Sequence, residues 1–118
     1  MNRSKLISFL EFKSTKQDLK NILGDDLFNV KIKPAIVDSQ YVIYAIENFV
    51  GGKIEISQLM DWVNIVWFTD LYEYNSKQSD SISSVMAVLE TLDEPDVNVS
   101  DNDFKLMIEC LKKNQNYN

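Results

Sequence analysis

The sequence predicts an all-α fold: a compact bundle of about five to six helices, with room for one short extended pair. Three observations lead there. Apolar residues recur at helical spacing through most of the chain. Capping signals punctuate that pattern, and only 3 Gly and 2 Pro interrupt it. At 118 residues and 45% apolar content, the chain is one domain long and can bury a core without disulfides or metals. No apolar run approaches the roughly 18 to 20 residues that a bilayer span needs.

Taken in order, Leu6, Phe9 and Leu10 suit a first helix. "STKQDLKNILG" supplies a second, opened by a capping box from Ser14 to Gln17 and closed by Gly24, so the two should form a helical hairpin. In "DDLFNVKIKP" the period falls to two. Phe28, Val30 and Ile32 alternate with Asn29, Lys31 and Lys33 before Pro34, which predicts a short extended edge. A third helix follows Asp38 or Ser39, with Val42, Ala45, Ile46 and Phe49 on one stripe, Tyr41 and Tyr44 flanking it, and Gly51 and Gly52 ending it.

After "KIEI", Ser57 is the expected cap of a fourth helix. Its main face is Leu59, Trp62, Val63 and Val66, while Met60, Ile65, Trp67 and Phe68 extend apolar surface round most of the cylinder, as in a central helix. The polar loop 75–81 precedes a fifth helix carrying Ile82, Val85, Met86 and Leu89, which must stop before Pro95. A capping box from Ser100 to Asp103 starts the last, with Phe104, Met107, Ile108 and Leu111 on one face and Lys112 and Lys113 at its negative end. Residues 114–118, "NQNYN", read as a frayed tail on a single helical domain spanning 1–118.

Composition narrows the chemistry. The chain has no histidine, which removes the commonest general acid or base, the commonest metal ligand and the physiological pH switch. Its serines have no nucleophile elbow, no P-loop or dinucleotide fingerprint appears, and "LDEPDVNVSDND" lacks the central Gly and closing Glu of a calcium loop. The reading is therefore a non-enzyme without cofactor or metal. Cys110 cannot form an internal disulfide and falls among core and near-core positions, as a structural thiol would. The N-terminus carries no export signal, so the expected compartment is the cytoplasm.

Charge is unevenly placed. Residues 1–33 carry seven Lys/Arg and four Asp/Glu, net +3; residues 34–104 carry two and thirteen, net −11; residues 105–118 carry three and one, net +2. Such an acid block repels nucleic acid and anionic lipid and attracts a basic partner.

The stretch "WVNIVWFTDLYEYN" gathers both tryptophans with Asp70 and Glu73. At about 100° per residue, a continuing helix would aim Asp70 at the buried face, where a lone carboxylate costs several kcal/mol. The helix should therefore end near Thr69. An exit loop would then display Asp70, Tyr72, Glu73 and Tyr74 over a tucked Leu71, a surface suited to protein recognition. The alternative is that Tyr72 or Tyr74 packs back on the core. Asp93, Glu94 and Asp96 form a second acidic turn and complete the candidate partner-binding set.

From Tyr41 to Leu111 the chain resembles small bacterial immunity-type proteins, of the kind that accompany contact-dependent growth-inhibition and colicin-like toxins. The likeness lies in "AIENFVGGKIEISQLMDWVNIV", "DLYEY" and "VMAVLETLDEPDVNVSDNDFKLMIECL". Val63 between Trp62 and Asn64, and Trp67 to Thr69 before the acidic turn, depart from the pattern. The resemblance implies an inhibitor of one cognate toxin domain, for which a basic nuclease would be a natural target. The runner-up is an acidic helical adaptor or regulatory subunit with no toxin partner. A third reading is a homo-oligomer that buries Trp67 and Phe68.

Overall fold

The computed structural model describes residues 2–118. Among these it contains six α-helices: α1 (Asn2–Leu10), α2 (Lys16–Leu23), α3 (Ser39–Val50), α4 (Ile56–Phe68), α5 (Ser79–Leu89) and α6 (Asp101–Lys113). Two short strands, β1 (Ala35–Val37) and β2 (Tyr72–Tyr74), form a parallel pair. The mostly α bundle with one extended pair is thus the observed fold. A parallel pair needs a long crossover, and α3 and α4 supply it.

The strand pair does not lie where alternation predicted. Leu27–Asn29 is a short 3-10 turn, with Phe28 exposed and Leu27 buried, and β1 begins only after Pro34. Ring constraint explains the shift: Pro34 offers no N–H to a ladder, whereas Ala35 N–H donates to Leu71 O at 3.0 Å.

Capping set the helix starts, with two corrections. At α2 the reciprocal pair is Thr15 and Asp18, one residue beyond Ser14 and Gln17. Asp18 N–H donates to Thr15 Oγ1 at 3.1 Å, and Thr15 N–H donates to Asp18 Oδ2 at 2.8 Å, which holds the Asp18 carboxyl below its ordinary value. Ser14 is instead buried, with its N–H on Ser8 O. At α4 the cap is Glu55, two residues before Ser57, because Glu55 N–H donates to Gln58 Oε1 at 2.8 Å. The Ser100–Asp103 box at α6 is as expected, with bonds of 3.1 and 3.0 Å.

The core follows from α4. Leu59, Met60, Trp62, Val63, Ile65 and Val66 are all buried, as a helix apolar nearly all round requires. Trp62 is fully enclosed. Its Nε1–H donates to Leu10 O at 3.2 Å, and Phe12 stacks on it at 5.9 Å, so the α1–α2 turn is fastened to the central helix. From α5 come Ile82, Val85, Met86 and Leu89, and from α6 come Phe104, Met107 and Leu111. Cys110, read as a core or near-core thiol, is half-buried.

Residues 114–118 are not frayed. Ser81 Oγ donates to Gln115 O at 2.8 Å, Tyr117 N–H donates to Ser84 Oγ at 2.9 Å, and the Tyr117 ring packs on the core. The anchors are Ser81, which falls in the predicted polar loop 75–81, and Ser84, both on α5.

Candidate partner-binding surfaces

The first predicted surface is built by the end of α4. Thr69 leaves helical geometry there, its hydroxyl donating to Ile65 O and accepting from Leu71 N–H at 3.3 Å. Asp70 therefore swings out to solvent and Leu71 tucks in fully buried, both as expected. The next residues are strand and not loop, and that changes what they display.

Successive strand side chains point to opposite faces. The register pairs Ala35 with Tyr72, Ile36 with Glu73 and Val37 with Tyr74, so both tyrosines share the inner face with Ala35 and Val37. Tyr72 is only 6% exposed; its hydroxyl donates to Leu6 O at 2.8 Å and its ring lies 6.3 Å from that of Phe9. Tyr74 is half-buried, and its enclosed hydroxyl has no hydrogen-bond partner among the described residues. Burial raises the pKa of both phenols, aided at Tyr74 by the nearby Glu90 carboxylate. Tyr72 is thus a core residue and Tyr74 a half-buried one, and the residues of 70–74 that stand fully exposed are Asp70 and Glu73.

Those acids have company of opposite sign. Asp70 meets Lys31 at 3.8 Å, both exposed, a pairing worth at most about 1 kcal/mol. Glu73 and Ile36 share the outer sheet face with Arg3, Lys33 and Pro34 around a shallow depression. The basic N-terminal third thereby folds over this part of the acid block.

The second predicted turn keeps its character. Asp93, Glu94 and Asp96 are exposed, and among the described residues none forms an ion pair. From residue 78 to 104 the chain carries seven acids and no Lys or Arg. This tract runs straight into Asp101 at the start of α6. Asp101 lines a cleft of about 310 Å³ with Glu47, Val50, Phe104, Lys105 and Ile108. Asp70 and Glu73 precede α5 and this turn follows its end, so the 11-residue helix separates the two acidic groups in the chain.

A further surface escaped the sequence reading. Gln40, Tyr44, Glu47 and Gly51 recur at i, i+4, i+7 and i+11 and are all exposed, opposite the buried Val42–Ala45–Ile46 stripe. Tyr44 is 44% exposed and edges a cleft of about 260 Å³ with Tyr41, Glu11 and Glu47. Glu47 belongs to both clefts and joins them along α3. The signal was present in the same spacing that marked the core stripe, read one half-turn round.

Trp67 and Phe68 stack at 5.8 Å, with Phe68 exposed at the end of α4. Among the described residues no Cys, Asp or Glu group is arranged to hold a metal ion, and no helix is long and apolar enough to cross a membrane. No family model, curated protein or solved structure matches the chain.

Proposed function

We propose that this protein is a bacterial immunity protein that binds one cognate, basic toxin domain in the cytoplasm and blocks it. The observation that supports this most is the base-free acidic tract of residues 78–104, running into an apolar cleft beside the exposed Tyr44–Glu47 face of α3. A toxin that cleaves nucleic acid must present positive charge to phosphates, and an acidic inhibitor meets that charge directly. Complementary potentials raise association above the neutral range of about 10⁵ to 10⁶ M⁻¹s⁻¹, while a few desolvated apolar anchors slow dissociation.

The test is a toxicity rescue. The C-terminal domain of the protein encoded immediately upstream is expressed in a susceptible bacterium with and without this chain. Rescue confined to that one toxin supports the reading. A harmless neighbour, or killing that this chain does not relieve, removes it and leaves the adaptor, which should capture an endogenous cytosolic protein.

A further inference from the structure

The cleft between the last turn of α3 and the first turns of α6 combines two features. Its floor is apolar and held in place. Phe104 is buried, with its ring edge-to-face against Phe49 at 5.8 Å, and Ile108 is half-buried one turn further along α6. Val50 stands 45% exposed at the mouth. The rim is mainly acidic: among the described residues Glu47 and Asp101 make no ion pair, and Lys105 is the one cation that lines it. Beyond Asp101 the approach carries the free Asp93, Glu94 and Asp96.

An apolar floor alone would accept any greasy surface, but the charge selects. A second copy of this chain brings net charge −6 of its own, which opposes its approach on the whole, as it does that of nucleic acid and anionic lipid. A basic protein segment is attracted. The volume of about 310 Å³ lies at the lower end of the pocket range of roughly 300 to 1,000 Å³, enough for one large side chain. An enclosed anchor with a polar surround is also the pattern of an interface hot spot.

We infer that this cleft seats a bulky apolar side chain of a partner protein, carried on a segment whose flanking Lys or Arg residues face Glu47 and Asp101. The inference rests on the binding function proposed above and adds the side-chain class that the partner must offer.

Nuclear magnetic resonance titration of the full chain tests it with three synthetic peptides of equal length: a Lys/Leu amphipathic helix, a Lys/Ser peptide of the same charge, and a Glu/Leu peptide. The Lys/Leu peptide should shift Val50, Gly51, Phe104 and Ile108 saturably, the Lys/Ser peptide only weakly, and the Glu/Leu peptide not at all. Val50→Asp adds negative charge at the mouth yet should weaken Lys/Leu binding about tenfold, because the apolar seat is lost. Glu47→Lys, at an exposed site, should weaken it about threefold or more without unfolding the chain. Equal binding of the Lys/Leu and Lys/Ser peptides, shifts away from the cleft, or wild-type affinity in Val50→Asp overturns the inference. Repeating the titration with the upstream-encoded toxin domain separates the two claims. Peptide binding without domain binding keeps the cleft and removes the immunity reading; domain binding elsewhere keeps immunity and removes the cleft as its seat.

Discussion

Two regions of this molecule have nearly the same composition and opposite fates. Residues 70–74 hold Asp70 and Glu73 beside Tyr72 and Tyr74, and the cleft along α3 sets Glu11 and Glu47 beside Tyr41 and Tyr44. In β2 the two-residue period sends Tyr72 and Tyr74 to one face and Glu73 to the other, so aromatics and acids part company. On α3 the helical period brings Tyr44 and Glu47 to one exposed face, with Tyr41 beside them. Closeness in sequence makes a surface only when the local period agrees with it. The second difference is charge context, since Lys31, Lys33 and Arg3 lie around Asp70 and Glu73, whereas among the described residues Lys105 is the one base lining the α3–α6 cleft.

The largest effects should come from treating β2 as core. Tyr72→Ala, like Trp62→Ala, should cost about 3 to 5 kcal/mol in urea unfolding, a loss of stability that precedes any loss of binding. A Tyr72→Ala variant that keeps its stability but loses its partner would restore the tyrosines to the interface.

Smaller changes separate the two tyrosines from each other. Tyr72→Phe strips Leu6 O of its donor and should cost about 1 to 2 kcal/mol. Tyr74→Phe removes a buried hydroxyl that has no partner among the described residues and should be neutral or stabilising, again by urea unfolding. Both phenols are raised above the ordinary 10.0 in the fold, so above pH 10 the unfolded chain releases protons that the folded chain keeps. Their contribution is complete below pH 10 and declines as pH rises past it. Absorbance titration should therefore show Tyr72 and Tyr74 ionising only as the chain unfolds.

Ser100→Ala should cost about 1 kcal/mol by loosening the start of α6, and with it the wall of the cleft. Smallest of all, Asp70→Lys with Glu73→Lys should change stability by less than about 1 kcal/mol. The same reversal should slow partner association only about two- to threefold in stopped flow, through long-range steering. A tenfold or greater fall in affinity would move the interface back to the sheet.

Much of the fold was legible because helices announce themselves locally. The stripes of α3, α5 and α6, the end of α4 at Thr69 and the burial of Leu71 all follow from spacing and from the penalty on a buried carboxylate. What was not legible is what depends on distant partners. β1 and β2 are three residues each, and nothing in "AIV" or "YEY" states that they pair across two helices. The tail looked free because the hydroxyls of Ser81 and Ser84 that hold it lie about thirty residues away, at separations of 34 and 33. At the site, Asp93, Glu94 and Asp96 were readable as exposed acids, but the apolar floor beside them needs α3 and α6 together. Val50 and Phe104 look like ordinary core-edge residues until α3 and α6 pack together and both line one cleft.

The most direct test of where this protein binds is amide hydrogen exchange on the full chain, free and saturated with the upstream-encoded toxin domain. Binding at the α3–α6 cleft should bring new protection at residues 47–51 and 101–108 and little change at 70–74. Protection centred on β2 and the outer sheet face, with the α3–α6 cleft unchanged, would contradict it.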